Sequence, residues 1–372
     1  MNKRLLLLLA SVGLVGCFVF LTAAVAPSGT EPLFVIEQNG KYGYMNKNGK
    51  IKIKPQFDDA QDFSEGRAVV KKRTNNDSDS KSGYIDEQGK VVIPFNYDLA
   101  MDYREGIAAV LTYTQDGGVK TAFIDKSGKT ALSIGAYVSF GFSEGRAAIV
   151  SHFAGTGTGE MQVGFIDKKG KIIVKPQYDY SIMEGSYFAE GLAAVHKDGR
   201  YGFIDKMGIV KIKMQFKAAL PFQESLAAVE DSNGKWGFID KTGRYVVQPQ
   251  FAQANSFHEG MAPVMKEING QPLWGYINNK GKWVIPAKYG SADLFSEGLA
   301  AVEVQTGQIG KWGYIDKTGS MIVKPQYDYA DSFHNGLASV MINDSSTSQW
   351  TTDGGKYGYI NTKGKYVWKP SK

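Results

Sequence analysis

Residues 235–264 read KWGFIDKTGRYVVQPQFAQANSFHEGMAPV, and this stretch recurs, with drift, from about Leu33 to Pro370. A chain made of one recurring unit is an array and not a set of different domains. Period-2 alternation from Lys235 to Asp240 places Trp236 and Phe238 on one face of a strand, with Gly237 and Ile239 on the other. In Asp240-Lys241-Thr242-Gly243 the carboxylate can accept local N–H groups and the glycine can take a positive φ, so a hairpin turn follows. The second strand, Arg244 to Gln248, is expected to stop at Pro249, which has no N–H for the ladder. Phe251, Ala254 and Phe257, at spacings of three, predict a half-buried connector. His258-Glu259-Gly260 is a second turn, and Met261 to Val264 is a small-residue strand leading to the next unit. Glycine, proline and turn residues break the unit too often for a helix of about ten residues.

The turn glycines are Gly49, Gly89, Gly128, Gly170, Gly208, Gly243, Gly281, Gly319 and Gly364, which gives nine hairpins. The Asp240 column is Asp in most copies but Asn46, Asn278 and Asn361 in others. Asparagine caps a turn as well as aspartate does but cannot act as a general base, so this column is turn chemistry. The second turn carries Glu65, Glu105, Glu144, Glu190, Glu224, Glu259 and Glu297, with Asn335 in the eighth position. A glutamate in nearly every copy is structural, because each unit of an array must bury the same face against its neighbours. The ninth hairpin, Lys356 to Pro370, leaves no room for a connector.

These residues, Lys-Trp/Tyr-Gly-Tyr/Phe-Ile-Asp-x-x-Gly, then Pro-Gln-Phe/Tyr, then Phe-Ser-Glu-Gly-Leu-Ala-x-Val, resemble the WG-repeat or KWG-repeat family over essentially all of 33–370. Trp236-Gly237, Trp274-Gly275 and Trp312-Gly313 carry the name pair, and Tyr42, Tyr201 and Tyr357 replace the tryptophan elsewhere. Ser82-Gly83 and Ala122-Phe123 lack the aromatic or the glycine, and the third copy loses the Pro-Gln step, so irregular sheets are expected there. The resemblance implies a bacterial, often exported, β-rich protein with no established activity. The expected fold is all-β, with nine units of three to four short strands spaced about 35–45 residues apart. It would form either an open curved array or a propeller-like ring. Closed propellers usually have about four to eight blades, and no terminal strand completes a ring here.

Lys3 and Arg4 precede an uncharged run from Leu5 to Ala26. As a helix this run would reach about 33 Å, enough to cross a bilayer core. Residues 1–26 are therefore read as a signal peptide or membrane anchor, and 27–32 as a linker. An uncleaved anchor with its basic end inside fits the length best. A cleaved signal would use the small pair Ala24 and Ala26, but Pro27 is a poor residue just after a cut. Leu14-Val15-Gly16-Cys17 resembles a lipoprotein lipobox with Cys17 acylated, yet Phe18 to Leu21 continues the apolar run. All three readings place the remainder outside the cytoplasmic membrane, on the cell surface or in the periplasm, with membrane contact only through this segment.

Cys17 is the only cysteine, which excludes a disulfide framework and a cysteine metal site. The net charge is +6, and about +4 without Lys3 and Arg4. The basic residues lie mostly in turns among acids, so nucleic acid is not an expected partner. No cofactor, metal or catalytic constellation is expected. Gly155 to Gly159 lacks the Gly-Lys-Ser/Thr of a phosphate loop, and Asp77-Ser78-Asp79 lacks the Gly and closing Glu of a calcium loop. His258 and His334 are read as solvated turn residues.

Because repeated positions build the scaffold, function is expected where the copies differ, in 74–82, 112–120, 151–162, 181–188 and 343–355. Most of these lie between the small-residue strand and the Lys-Trp-Gly strand and should share an edge. The leading expectation is a non-enzymatic binding scaffold whose loops meet an envelope protein. A second is attachment to cell-wall polymer through Trp236, Trp274, Trp312, Tyr42, Tyr201 and Tyr357, since exposed rings stack on sugars or hold a choline cation. The hairpins are loosely similar to choline-binding repeats, but packing of these rings against the next repeat is the preferred reading. The rival from another class is a hydrolase built from Glu184, Glu190 and His196 in the third and fourth copies.

Overall fold

The fourth strand of the unit does not stop at Pro249; it runs Tyr245–Phe251, and the way it passes Gly237 sets the geometry of every regular sheet. Trp236 is opposite Phe251 and Phe238 is opposite Val247, so two steps on one strand face four on the other. The surplus residues form a bulge that holds Pro249 off the ladder, where its missing N–H costs nothing. The bulged backbone crosses directly over the glycine. A Cβ on Gly237 would stand 2.6 Å from the Val247 carbonyl oxygen and 2.8 Å from the Pro249 nitrogen, closer than real Cβ contacts allow. Gly43, Gly83, Gly164, Gly202, Gly275, Gly313 and Gly358 meet the same obstruction. The glycine of the repeated aromatic-glycine pair is thus fixed by close backbone approach.

The third copy shows the dependence. It carries Ala122 in the glycine column, and there the register runs Thr121↔Gly135 and Ala122↔Ser133, a narrower bulge in which Ala122 has a cross-strand partner. The second copy, with Ser82 in the aromatic column, keeps the usual register, Ser82↔Tyr97 and Tyr84↔Ile93. Irregularity follows the lost glycine and not the lost aromatic.

The computed structural model describes residues 31–73, 80–151, 161–180, 186–305, 310–343 and 355–370, and all named elements within them are β-strands. The unit is a four-stranded antiparallel meander, in the seventh copy Gln253–Ala254, Met261–Ile268, Gln271–Asn278 and Trp283–Tyr289. Equivalent sheets span 59–97, 99–135, 218–251, 291–327 and 329–368. The first sheet, 33–57, has three strands, and 142–216 is an eight-stranded sheet in which two meanders meet at one bridge, Asp179↔His196. Counting that sheet as two, each turn glycine has its own meander, so the chain is the all-β tandem array expected from the sequence. Contacts group it into two compact units. Among the described residues, one holds 31–36, 40–46 and those from 51 to 214; the other holds 37–39, 47–50 and those from 215 onward.

Within each unit the core lies between consecutive sheets. In the second unit, Phe238, Val247 and Phe251 of the sixth sheet pack on Ala262, Val264 and Ile277 of the seventh, with Ala254 and Phe257 between them. Tyr276 and Ile285 repeat this against Ala300, Val302 and Ile315, and Tyr314 and Val323 against Ala338, Val340 and Ile360. The connector expected to be half-buried is therefore core: Phe251 is 2% exposed and Phe257 1%. The Phe238 and Phe257 rings lie 4.7 Å apart, and the pair recurs as Tyr276–Phe295 and Tyr314–Phe333. In the first unit Tyr44–Phe63, Tyr84–Tyr103, Phe123–Phe142 and Phe165–Phe188 do the same. Tilted and edge-on ring pairs of this kind add about 0.5–1.5 kcal/mol beyond their buried area. The small residues of each second strand are what let these rings in.

The second turn is a two-residue loop with both residues at positive φ, as in Glu259 (51°) and Gly260 (82°), closed by hydrogen bonds between His258 and Met261. This primed geometry matches the right-handed twist of the strands it joins. The sixth sheet has Ser225 (φ 68°) where the others have glycine.

Two outcomes follow for thermal or denaturant unfolding of the full chain. Gly237→Ala should destabilise by about 2 kcal/mol or more, because the obstruction is backbone that cannot turn aside; an unchanged midpoint would mean the bulge relaxes freely. Ser225→Gly should stabilise by about 1 kcal/mol through removal of left-handed strain, and a lowered midpoint would contradict that account.

Candidate functional site

Two kinds of feature could carry function, the edge where loops vary and the face where turns cluster. Second and third strands are joined by two-residue turns at Asn39-Gly40, Asp198-Gly199 and Asn269-Gly270, all with positive φ. In other copies the same connection is longer. The loop after Glu230 is organised by Asp231, whose carboxylate accepts the N–H groups of Asn233 (2.8 Å) and Lys235 (2.9 Å). Residues 74–79, 152–160, 306–309 and 344–354 of these connections lie outside the described residues, as do 181–185, which precede the fifth sheet. By connectivity the second-to-third-strand loops leave each sheet at the end opposite the Asp-x-x-Gly turns.

Where such loops begin, an aspartate fastens the strand ends. Asp58 accepts from Lys41 Nζ (2.6 Å) and the Arg73 N–H (2.7 Å). Asp98 binds Lys81 and Tyr113 in the same way, and Asp328 binds Lys311 and Asn343. The Lys41 hydrogen bond, followed by that from Arg73, holds the Asp58 carboxyl below the usual carboxylate range. The longer loops thus spring from a fixed base.

The ring residues singled out in the sequence occur one per sheet. Trp236, Trp274 and Trp312 are half-buried and packed against the inter-sheet cores. Tyr42 is half-buried, Tyr201 is buried against the His196 ring at 4.6 Å, and Tyr357 is exposed at 40%. Cys17 and the apolar run lie outside the described residues. Of the hydrolase set, Glu184 is also outside them, Glu190 sits in a left-handed turn at φ 52°, and His196 Nδ1 is 3.3 Å from Asp179 Oδ2. Among the described residues no group of three His, Cys, Asp or Glu side chains is placed to hold a metal.

On the opposite face the repeated glutamate forms a clasp between neighbouring sheets. Glu259 accepts the Gly298 N–H at 3.0 Å and Lys317 Nζ at 3.0 Å, both from the next sheet. In the first unit Glu65 holds Gly106 and Lys126, Glu105 holds Gly145 and Lys168, and Glu144 holds Gly191 and Lys206. Glu224 and Glu297 likewise accept from Gly260 and Gly336. A left-handed glutamate costs about 1–2 kcal/mol, and this pair of charge-assisted bonds offsets it. The residue before the glutamate joins in: Ser64, Ser143 and Ser296 donate to the carbonyl of the next copy's aromatic. His258 does so at Phe295, so it is half-buried and bonded and not the solvated residue expected, whereas His334 is exposed.

A family model described as WG containing repeat matches residues 42–73, 83–112, 164–201, 201–236, 236–267, 274–305 and 312–344, more than half of the chain. The chain belongs to the WG-repeat family. The only gap between matches wider than one strand-turn spans the third copy, where the WG glycine is Ala122 and the bulge narrows. No curated protein matches the chain. Among solved structures it is similar to a eukaryotic initiation factor, with TM-score 0.60 and 13% identity over 91% of this chain and 95% of that one. BamB from Moraxella catarrhalis gives 0.44 and 13%, covering 81% and 95%, and AztD from Citrobacter koseri gives 0.43 and 10%, covering 78% and 93%. At such identities the likeness to the initiation factor shows the fold alone, a repeat β-fold of the kind that serves as a scaffold or binding domain.

Burial by itself would raise the Glu259 carboxyl, but the hydrogen bonds from Lys317 and Gly298 and the Lys317 charge outweigh it and hold it below the ordinary glutamate range. A depressed folded value contributes stability above the unfolded value of about 4.3, lost as pH falls through the folded one. Glu259→Gln should therefore cost about 1 kcal/mol at neutral pH, with the gap to wild type closing as the unfolding midpoint is followed below about pH 4. A gap that stayed constant into acid would show that the charge contributes nothing.

Proposed function

We propose that this chain is a non-enzymatic, exported repeat scaffold that binds proteins at the bacterial cell envelope. The observation that carries the reading is the division of labour among residues. The repeated positions, from the WG glycine to the clasp glutamate, are spent on cohesion within and between sheets, while the variable connections spring from aspartate-fastened bases at one end of the strands. A rigid base loses little entropy when its loops dock, which favours recognition. Export rests on the apolar run after Lys3 and Arg4, read as an anchor or signal. The second reading, a cell-wall glycan module, is favoured by the exposure of the Tyr357 ring and the half-exposed tryptophans.

The full chain, purified in detergent, should retain a defined envelope protein in a pull-down at both low and high salt, and lose it when 344–354 is replaced by a two-residue turn. Retention on isolated wall polymer at high salt, abolished by Trp236→Ala or Trp312→Ala in a folded variant, would transfer the case to the glycan reading. Wall retention lost at high salt would indicate charge only.

A further inference from the structure

Within the second unit the lysine of the clasp is replaced by Asn279 opposite Glu224 and by Thr362 opposite Glu297, and at one place it is the glutamate that is missing. The turn 47–50 of the first hairpin belongs to this unit and is seated on the last strand; a Cβ on Gly49 would stand 2.6 Å from the Val367 carbonyl oxygen. Lys47 thereby occupies the column of Lys126, Lys168, Lys206 and Lys317, each of which reaches a glutamate carboxylate at 2.9–3.3 Å. At the glutamate position of the ninth sheet the chain has Asn335 instead, in the same left-handed conformation at φ 52°. Among the described residues Lys47 has no ion-pair partner, and residues 1–30 contain no Asp or Glu that could supply one. The surface there falls into a hollow of about 440 Å³ lined by Lys47, Asn48, Asn335, Asn361 and Tyr366, with Leu337 and Val367 as its apolar walls.

The lining specifies an occupant. One ammonium can meet one carboxylate, and the Asn335 amide can donate to and accept from the peptide groups next to it, while Asn361, whose Oδ1 already accepts the Lys363 and Lys365 N–H groups, offers its NH2 as a donor. A densely charged polymer would need several cations in a row and finds one. At the complete clasps the same space receives a carboxylate and the N–H of a neighbouring glycine, as Glu259 and Gly298 show. A second copy of this chain is a poor source, since six of its turn glutamates are already bound.

We propose that this hollow docks an acidic loop of a partner protein, with a Glu or Asp carboxylate accepting from Lys47 and the adjoining peptide groups pairing with the amides of Asn335 and Asn361. This deepens the scaffold reading and rests on it. The sequence signal was the break in the glutamate column at Asn335, which carries no meaning until the fold places Lys47 opposite.

The test uses the end-blocked, fluorescently labelled peptide Phe-Ser-Glu-Gly-Leu-Ala, titrated into the full chain in detergent and followed by anisotropy. Binding in the millimolar range is expected, weakened about tenfold or more by Gln for Glu in the peptide, by Lys47→Gln, and by Asn335→Glu, which fills the hollow with the chain's own carboxylate. Both positions are exposed, and an unchanged unfolding midpoint confirms that each variant is folded. Absence of saturable binding, equal binding by the Gln peptide, or indifference to Lys47→Gln would overturn the proposal. So would preference for polygalacturonate, an acidic glycan, over the peptide. If a defined envelope protein is captured equally by wild type and Lys47→Gln, the hollow fails as its docking site and the scaffold reading stands. If the full chain retains no envelope protein, the scaffold reading fails, and the peptide titration still decides the hollow.

Discussion

The fourth strand of each regular sheet crosses so close to the WG glycine that no side chain fits between them. That single approach organises the rest. It creates the bulge, which lets proline sit inside a strand without losing a ladder bond, and it brings Trp236 opposite Phe251 and Phe238 opposite Val247. Once those registers are set, the third-strand aromatic points into the gap between sheets and meets the connector aromatic of the next copy. The third sheet is the natural control, since the loss of the glycine at Ala122 goes with a different register and the absence of Pro-Gln.

Cohesion along the array uses two further devices of different character. The apolar one is the ring pair between sheets, received by the alanines of the second strand, as at Ala262 and Ala300. The polar one is the glutamate clasp, which holds the turn face together through one carboxylate shared by a backbone N–H and an ammonium. Each sheet touches chiefly its neighbours, so stability accumulates along the chain as in other repeat proteins. Ser82 and Ala122 depart from the pattern and still pair across the ladder, whereas Asn335 leaves the lysine opposite it without a carboxylate.

Much of this was readable from the residues alone. The Asp-x-x-Gly turns, the nine-fold repetition, the absence of helix among the described residues and the irregular third copy follow from local rules of turn chemistry and alternation. Other features were not. Pro249 reads as a strand end unless the bulge is known, and a strand as short as Gln253–Ala254 has no periodicity of its own. His258 reads as a turn residue until the next sheet brings the Phe295 carbonyl against it.

By itself the sequence determined the unit, its number and its turns, because those depend on contacts within about ten residues and on backbone preferences that each residue carries with it. Only the tertiary structure decided why the glycine is obligatory, what the glutamates hold and where Lys47 stands. The glycine's obstruction comes from a bulge in the neighbouring strand that no local preference encodes, and the glutamate clasps and the seat of Lys47 join residues 36 or more positions apart through the packing of sheet on sheet.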